Sequence, residues 1–320
     1  MAPNPQEPCA VVPPELPKIV AITGCLRPAQ SQRYNAPMLA LVPLEPVDYL
    51  VLGHLTEDLT PAGPRLGGTA AFSALTARAC GLRPGIITAV GEGTSLAELQ
   101  GIPVLKIPSA YSTTFENLNT PSGRKQIIRR QAAPITLAGL PDAWRAVPIV
   151  HLGPVAQELI PESLGGFSAS LLGITPQGWM RTWDDQGNVA ACPWPSAEKI
   201  LPSAGAVVIS RQDVQGDEDT IHAMASQTRV LAVTEGSAGS VLYWNGDSRR
   251  FHAPDVAEVD NVGAGDVFAA ALFIRLYMTR DPWEAARFAT LLAARSVTRP
   301  GLEGVPTRRE IDACTVEVIH

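Results

Sequence analysis

Gly263-Ala264-Gly265-Asp266 is the stretch whose residue types and spacing point most directly at chemistry. Two glycines bracketing an alanine let successive backbone N–H groups crowd together. The apolar run that follows, Val267 to Met278, reads as a buried helix. A helix N-terminus carries orphan N–H donors and the positive end of the helix dipole, so it favours an anion. An aspartate has a use beside such a hole if it collects a proton: its carboxylate can deprotonate an attacking hydroxyl while the N–H groups steady a phosphoryl group in transit. On the tetrapeptide alone, an ordinary junction with Asp266 as a helix cap remains open. No G-x-x-x-x-G-K-[ST] occurs, which removes a Walker-type loop as written. A dinucleotide fingerprint fits less well, because the glycine pattern is incomplete and lies in the last fifth of the chain, whereas that motif usually opens its domain.

The elements around this stretch read as alternating strands and helices. Asp260-Asn261-Val262 ends an extended run, so the expected context is strand, tight turn, helix. Val47 to Gly53 is the first buried strand, and it runs into a loop, residues 54–58, at its carboxyl end, where open α/β sheets hold ligands. A proline-rich spacer leads to Gly67-Gly68-Thr69 and an alanine-rich helix to about Cys80. Gly85 to Gly91 and Pro103 to Ile107 are further strands. Residues 113–118 and 125–129 alternate polar and apolar around Thr120-Pro121-Ser122-Gly123, a hairpin that reads as a flap over a site, a dimer contact or a solvated ribbon. Then come a strand over Val147 to Leu152 with a short helix after Gly153-Pro154, and a strand over Phe167 to Leu172. A helix over Ser196 to Leu201, strands over Ala206 to Ser210 and Val230 to Thr234, and a helix after Asp213 follow. Asn245-Gly246 between apolar runs predicts a type I′ hairpin. Two helices close the pattern, Pro282 to Ser296 and one near Thr307 to Cys314.

A chain of 320 residues can bury a large core. Residues 1–46 hold ten of the 29 prolines and read as an irregular N-terminal extension, leaving 47–320 for the folded domain. The net charge of −6 argues against nucleic acid or an anionic membrane as the main partner. The five cysteines, Cys9, Cys25, Cys80, Cys192 and Cys314, are scattered and odd in number, as expected of thiols in a reducing cytoplasm. With five dispersed histidines and no H-E-x-x-H, no protein-only metal site is expected. No apolar run has transmembrane length, and no basic n-region precedes an apolar one at the N-terminus, so a cytoplasmic location is expected.

Taken in order, Gly67-Gly68 before a helix, Thr234-x-Gly236-x-x-Gly239, and Asp260-x-x-Gly263-Ala264-Gly265-Asp266 resemble the ribokinase-like (PfkB) carbohydrate kinases over roughly residues 47–310. The resemblance implies an α/β fold, a doubly wound, mostly parallel sheet flanked by helices, with a small β lid from about 54–66 and 112–130. It implies ATP-dependent, Mg²⁺-assisted phosphorylation of a hydroxyl on a small sugar, polyol or nucleoside, with a homodimer through the lid as one arrangement. Asp266 would be the catalytic base, with Gly263, Ala264 and Gly265 as the anion hole. Gly53 and Asp58 resemble the family's early G-x-x-x-x-D, whose aspartate binds substrate hydroxyls. Gly67 and Gly68 would line the substrate pocket, joined by Phe115, Asn117 and Arg124 from the lid. Thr234, Gly236, Gly239 and Ser210 would meet ATP. Three departures stand out. Phe72 occupies a position where the family often has asparagine, which fits a flatter or less hydroxylated ligand or a plain helix core. Ser210-x-x-Asp213 stands for an N-x-x-E element that organises Mg²⁺ through water, leaving Asp213 as the indirect metal residue. Asn261 replaces a threonine. A kinase-like fold kept for binding or sensing is the alternative that the Phe72 and Ser210-x-x-Asp213 departures motivate, and the intact Gly263-Ala264-Gly265-Asp266 argues against it.

Overall fold

The strand expected from Val47 to Gly53 becomes the middle of the molecule. A computed structural model describes residues 45–120, 123–137, 140–160 and 167–317. The chain divides into two compact units, Met1–Val42 and Pro43–His320, and the described residues belong to the second. The extension read over residues 1–46 lies, but for its last two residues, outside the described residues. In β1 (Tyr49–Leu52) every side chain is buried. Tyr49 and Val51 join one hydrophobic cluster, while Leu50 and Leu52 join another on the opposite face, as the two-residue period of a strand requires.

Along the chain follow β2 (Thr56–Thr60), β3 (Gly63–Gly67), α1 (Thr69–Ala79), β4 (Pro84–Gly91) and β5 (Val104–Ser109). The hairpin β6 (Thr113–Thr120) and β7 (Gly123–Arg130) comes next, then β8 (Ile149–Leu152) and β9 (Leu171–Ile174). A short pair, β10 (Arg181–Trp183) and β11 (Val189–Ala191), precedes α2 (Ala197–Ile200), β12 (Ala206–Ser210), α3 (Glu218–Gln227) and β13 (Val230–Thr234). The hairpin β14 (Ser240–Trp244) and β15 (Asp247–Phe251) leads to α4 (Ala264–Thr279), α5 (Pro282–Ser296) and α6 (Arg308–Cys314).

Nine strands form one sheet in the order β15-β14-β13-β12-β9-β8-β1-β4-β5, parallel from β13 to β5 and antiparallel at β14 and β15. Helices α1, α4 and α5 pack with the face that carries Tyr49 and Val51, while α3 and Trp144 pack with the other. The expected α/β, doubly wound, mostly parallel architecture is therefore present. Helix α4 is buried from Val267 through Leu276, which fits its position between the sheet, α1 and α5. Its approach to the sheet needs Gly173, where an added Cβ would lie 2.5 Å from the Phe273 ring. At the distant edge Asn245 and Gly246 have φ of 52° and 78°, as a type I′ hairpin demands.

A second, four-stranded sheet in the order β3-β2-β6-β7 forms the lid. It corrects two expectations. Of the expected loop over 54–58 only residues 54–55 lie outside a strand, and the proline-rich spacer is largely paired: β2 pairs parallel with β6, and β3 folds back on β2. Three of the four crossings between body and lid, at residues 53–56, 112–113 and 130–133, meet at the fully buried His54. Its Nε2 faces the Ala133 carbonyl at 2.9 Å and so carries the proton, leaving Nδ1 to accept from the Thr113 hydroxyl at 2.7 Å. The His54 N–H donates to Glu158 Oε1 at 2.8 Å. The same buried carboxylate accepts the N–H groups of Val155 and Ala156, which holds residues 153–158 as a bent loop where a short helix was expected. The strand expected over Phe167 to Leu172 starts later, at Leu171, because only from there does it pair with β8. The extended run before Val262 is not a strand. Residues 252–262 pass without a partner strand, pinned instead by the Asp260 carboxylate on the N–H groups of Val262 and Gly301.

Candidate active site

Two helix N-termini meet above the carboxyl ends of β1, β8 and β12. Helix α1 begins after Gly68, whose φ of 87° suits glycine and whose added Cβ would stand 2.5 Å from the His54 carbonyl oxygen. Thr69 is therefore fixed as the first helical residue. Helix α4 begins after Gly263, at φ 80°, where an added Cβ would lie 2.2 Å from the Phe72 ring. Phe72 is thus helix core supporting the glycine turn, and its ring also borders the cavity described below. Across this junction the Thr69 hydroxyl donates to Asp266 Oδ1 at 2.7 Å.

Burial pushes the Asp266 carboxyl from 3.8 up to about 6; the Thr69 hydrogen bond and the Arg181 charge pull it back, while Asp58 and Asp213 push it further up. The backbone beside it is arranged for an anion. The N–H groups of Gly265 and Asp266 sit in the first turn, with no carbonyl four residues back in the helix. An added Cβ on Gly265 would meet nothing within 4 Å. The anion hole expected from Gly263, Ala264 and Gly265 needs one adjustment: the Ala264 N–H turns back to the Asn261 carbonyl at 3.3 Å.

These groups open on a cavity of about 700 Å³. One end is lined from the lid and α1 by Thr56, Asp58, Gly68, Phe115, Asn117 and Gln126. The other is lined by Ser210, Thr234, Gly236, Ser237 and Gly239, with Ala293 and Val297 of the α5 region. Most residues expected at the site are therefore together. Gly67 is not on the cavity; it stands behind the lid aspartate, and an added Cβ would lie 2.5 Å from Asp58 Oδ2. Gly53 makes room for a neighbouring turn, its added Cβ falling 2.2 Å from the Gly153 carbonyl oxygen. Gly239 has a structural reason beside the expected one: an added Cβ would stand 2.0 Å from the Phe251 carbonyl oxygen. The side chain of Arg124 lies outside the described residues. Asn261 binds Glu258 through its amide at 2.9 Å.

Asp213 accepts the Ser210 N–H on Oδ2 at 2.8 Å and lies 3.4 Å from the Gln177 amide through Oδ1. Among the described residues no three His, Cys, Asp or Glu side chains are grouped to hold a metal ion. Four contributors escaped the sequence reading. Thr69 directly follows the glycine pair, a position from which a hydroxyl at a helix start could have been suspected. Gln126 lies opposite Asn117 in the hairpin register and donates to it at 3.0 Å, so the hairpin pairing alone foretold it. Gln177 and Arg181 follow β9 with no local pattern to mark them.

Residues 204–308 match the model of the pfkB family carbohydrate kinases. The chain is 28% identical over 305 residues to a fructokinase of Escherichia coli, covering 82% of this chain and 97% of that one. It is 28% identical over 294 residues to an inositol 3-kinase of Oryza sativa subsp. japonica, covering 82% and 71%. Over residues 204–308 the chain is similar to the pfkB family carbohydrate kinases, and the relatives matched over most of its length are kinases of the same kind. The fold agrees: a pyrophosphate-dependent kinase in the ribokinase family, solved with a pyrophosphate analog and myo-inositol, superimposes with a TM-score of 0.70 at 18% identity, covering 83% of this chain and 99% of that one. With these matches the protein is a sugar or polyol kinase. No helix among the described residues is long and apolar enough to cross a membrane.

Proposed function

We propose that this kinase transfers the γ-phosphoryl group of MgATP to one hydroxyl of a small sugar or cyclic polyol, with Asp266 as general base and the 263–265 turn as anion hole. The observation that carries the reading is Asp266 itself, raised to about 6 and aimed by Thr69 into the cavity at a helix N-terminus. A base with that value is ionised at neutral pH yet keeps a useful affinity for a proton. Asp58, Asn117 and Gln126 offer the acceptor carboxylate and amide groups, while Phe72 and Phe115 offer apolar surface. That mixture suits a ring with polar edges and apolar faces, and the names of the fructokinase and inositol 3-kinase relatives support the same class. A homodimer through the lid belongs to this proposal.

A magnesium ion would be carried by the nucleotide phosphates and their waters, with Asp213, hydrogen-bonded to the cavity-lining Ser210 and Gln177, as an outer carboxylate, since magnesium keeps several waters in such sites. When bound, the ion supplies neutralising charge to the phosphates. The chain's own part is to orient the acceptor with Asp58 and the lid amides, receive its proton at an Asp266 oxygen, and present N–H groups to the phosphoryl oxygens. The test is ADP release from MgATP with fructose, ribose, myo-inositol and nucleosides, and phosphate transfer from pyrophosphate as a second donor. Acceptor-dependent turnover that disappears in Asp266→Asn supports the proposal. Measurable ligand binding with no transfer from either donor would replace it with a binding or sensing role.

A further inference from the structure

The acceptor end of the cavity collects negative charge where a polyanion has to react. Asp58 and Asp266 both line it, and the phosphoryl group adds charge of the same sign. Among the described residues that line the cavity, Arg181 is the one cation. The fold takes trouble to bring it there. Residues 176–180 form a tight turn that packs on residues 154–155, where an added Cβ at Gly178 would lie 2.4 Å from the Pro154 carbonyl carbon. The Gly178 N–H donates to the Pro154 carbonyl at 2.8 Å, and the turn hands the chain to β10 at Arg181. Pairing with Ala191 of β11 and the Gln157 amide on its carbonyl at 2.5 Å fix the Arg181 backbone. Its guanidinium donates to the Val155 carbonyl at 3.5 Å and lies 6.0 Å from the centre of the Phe115 ring of the lid.

We propose that Arg181 is a catalytic residue of the transfer, binding the moving phosphoryl group together with the N–H groups at the start of α4. This rests on the kinase reading above. In the step, the acceptor oxygen bonds to the γ-phosphorus and the bond from that phosphorus to the bridging oxygen breaks. The acceptor proton passes to Asp266, and ADP leaves with the bond pair. Arg181 keeps its proton and donates hydrogen bonds to oxygens on which charge accumulates, a role for which its planar, permanently charged fork is suited. Its charge also lowers the pKa of Asp266, so the base and the phosphoryl contact are coupled through one side chain.

The experiment compares wild type with Arg181→Gln and Arg181→Lys. Three readouts are taken: thermal melting, steady-state kinetics against pH with whichever acceptor wild type uses, and binding of ADP with aluminium fluoride, a mimic of the phosphoryl group in flight. Arg181→Gln is expected to melt near wild type and lose on the order of 10²–10³ in kcat, as removal of one preorganised donor does. Its acidic limb should move to higher pH, and it should lose the preference for the fluoride complex over ADP alone. Arg181→Lys should recover part of each. A kcat within threefold of wild type, or a loss confined to the KM of the acceptor, overturns the proposal. If wild type transfers no phosphate the kinase reading fails by itself, and the fluoride comparison still decides Arg181: equal affinity in wild type and Arg181→Gln removes it from the phosphoryl site.

Discussion

Replacing Asp266 by asparagine should stop turnover and, at neutral pH, make the protein more stable. Asparagine keeps the shape and an oxygen that can still accept the Thr69 hydroxyl, so the junction between α1 and α4 survives. What it removes is a carboxylate held where burial disfavours its charge. A carboxyl raised from 3.8 to about 6 carries a penalty of ~3 kcal/mol at pH 7, at ~1.4 kcal/mol per pKa unit. Asp266 is only half-buried and opens on the cavity, so solvent screening reduces the penalty to ~1–2 kcal/mol. The sign follows from proton counting. Between 3.8 and about 6 the folded chain holds a proton that the unfolded chain has released, so stability falls as pH rises through that window and the penalty is complete above it. Asp266→Asn should therefore raise Tm by ~2–4 °C at pH 7.5, with the gain shrinking to roughly a third at pH 4.5. In the same preparation kcat should fall by ~10²–10⁴. Paired melting curves at the two pH values and an ADP-release assay read both effects. An asparagine variant that melts below wild type at pH 7.5, or whose advantage grows toward acid, would refute the reasoning about burial; one that turns over normally would refute the role of the base.

Further outcomes follow from the same geometry. In wild type kcat/KM should fall ~tenfold from pH 7 to pH 5 as a base with a value of about 6 is protonated, whereas an ordinary carboxylate would leave it nearly flat. Thr69→Val removes the hydrogen bond that pulls Asp266 down, so a pH–rate profile should show the acidic limb displaced upward together with a lower kcat. The two glycines of the turn should behave oppositely. Gly265→Ala meets open space and should fold normally while losing turnover, but Gly263→Ala combines φ of 80° with a clash against Phe72 and should cost ~2–4 kcal/mol in a denaturant titration. Asp58→Asn should raise the acceptor KM and leave the ATP KM within a few-fold, as two-substrate kinetics would show.

The parts of this fold that declared themselves in the sequence are those with a local cause. Val47 to Gly53 is apolar at every other position and more; Asn245-Gly246 can adopt the two positive φ values that the hairpin needs; Gly263 and Gly68 mark helix starts that tolerate no Cβ. The turn that places Asp266 at the start of α4 was legible for the same reason. What stayed hidden depends on partners distant in sequence. Residues 56–67 carry glycine and proline and read as a spacer, yet β2 finds a parallel partner in β6, a pairing with no local signature. The loop at 153–158 looked like a helix because its shape is set by Glu158 and by the remote backbone of His54. Arg181 was invisible for a related reason: its place depends on a glycine packing against Pro154, which only the folded chain brings together.

The cavity is also divided along the polypeptide. The family match covers residues 204–308, which include Asp266, the glycine turn and the turns that line the far end of the cavity. Asp58, Phe115, Asn117, Gln126 and Arg181 all come earlier in the chain. Substitutions upstream of residue 204 can therefore reshape the acceptor end while the glycine turn and Asp266 stay fixed, except where the upstream half reaches that carboxylate: through the Thr69 hydroxyl and through the charges of Arg181 and Asp58. Among the described residues Thr69 is the upstream side chain hydrogen-bonded to the Asp266 carboxylate, so a change there would retune that group by direct contact, whereas Arg181 and Asp58 act on it through charge.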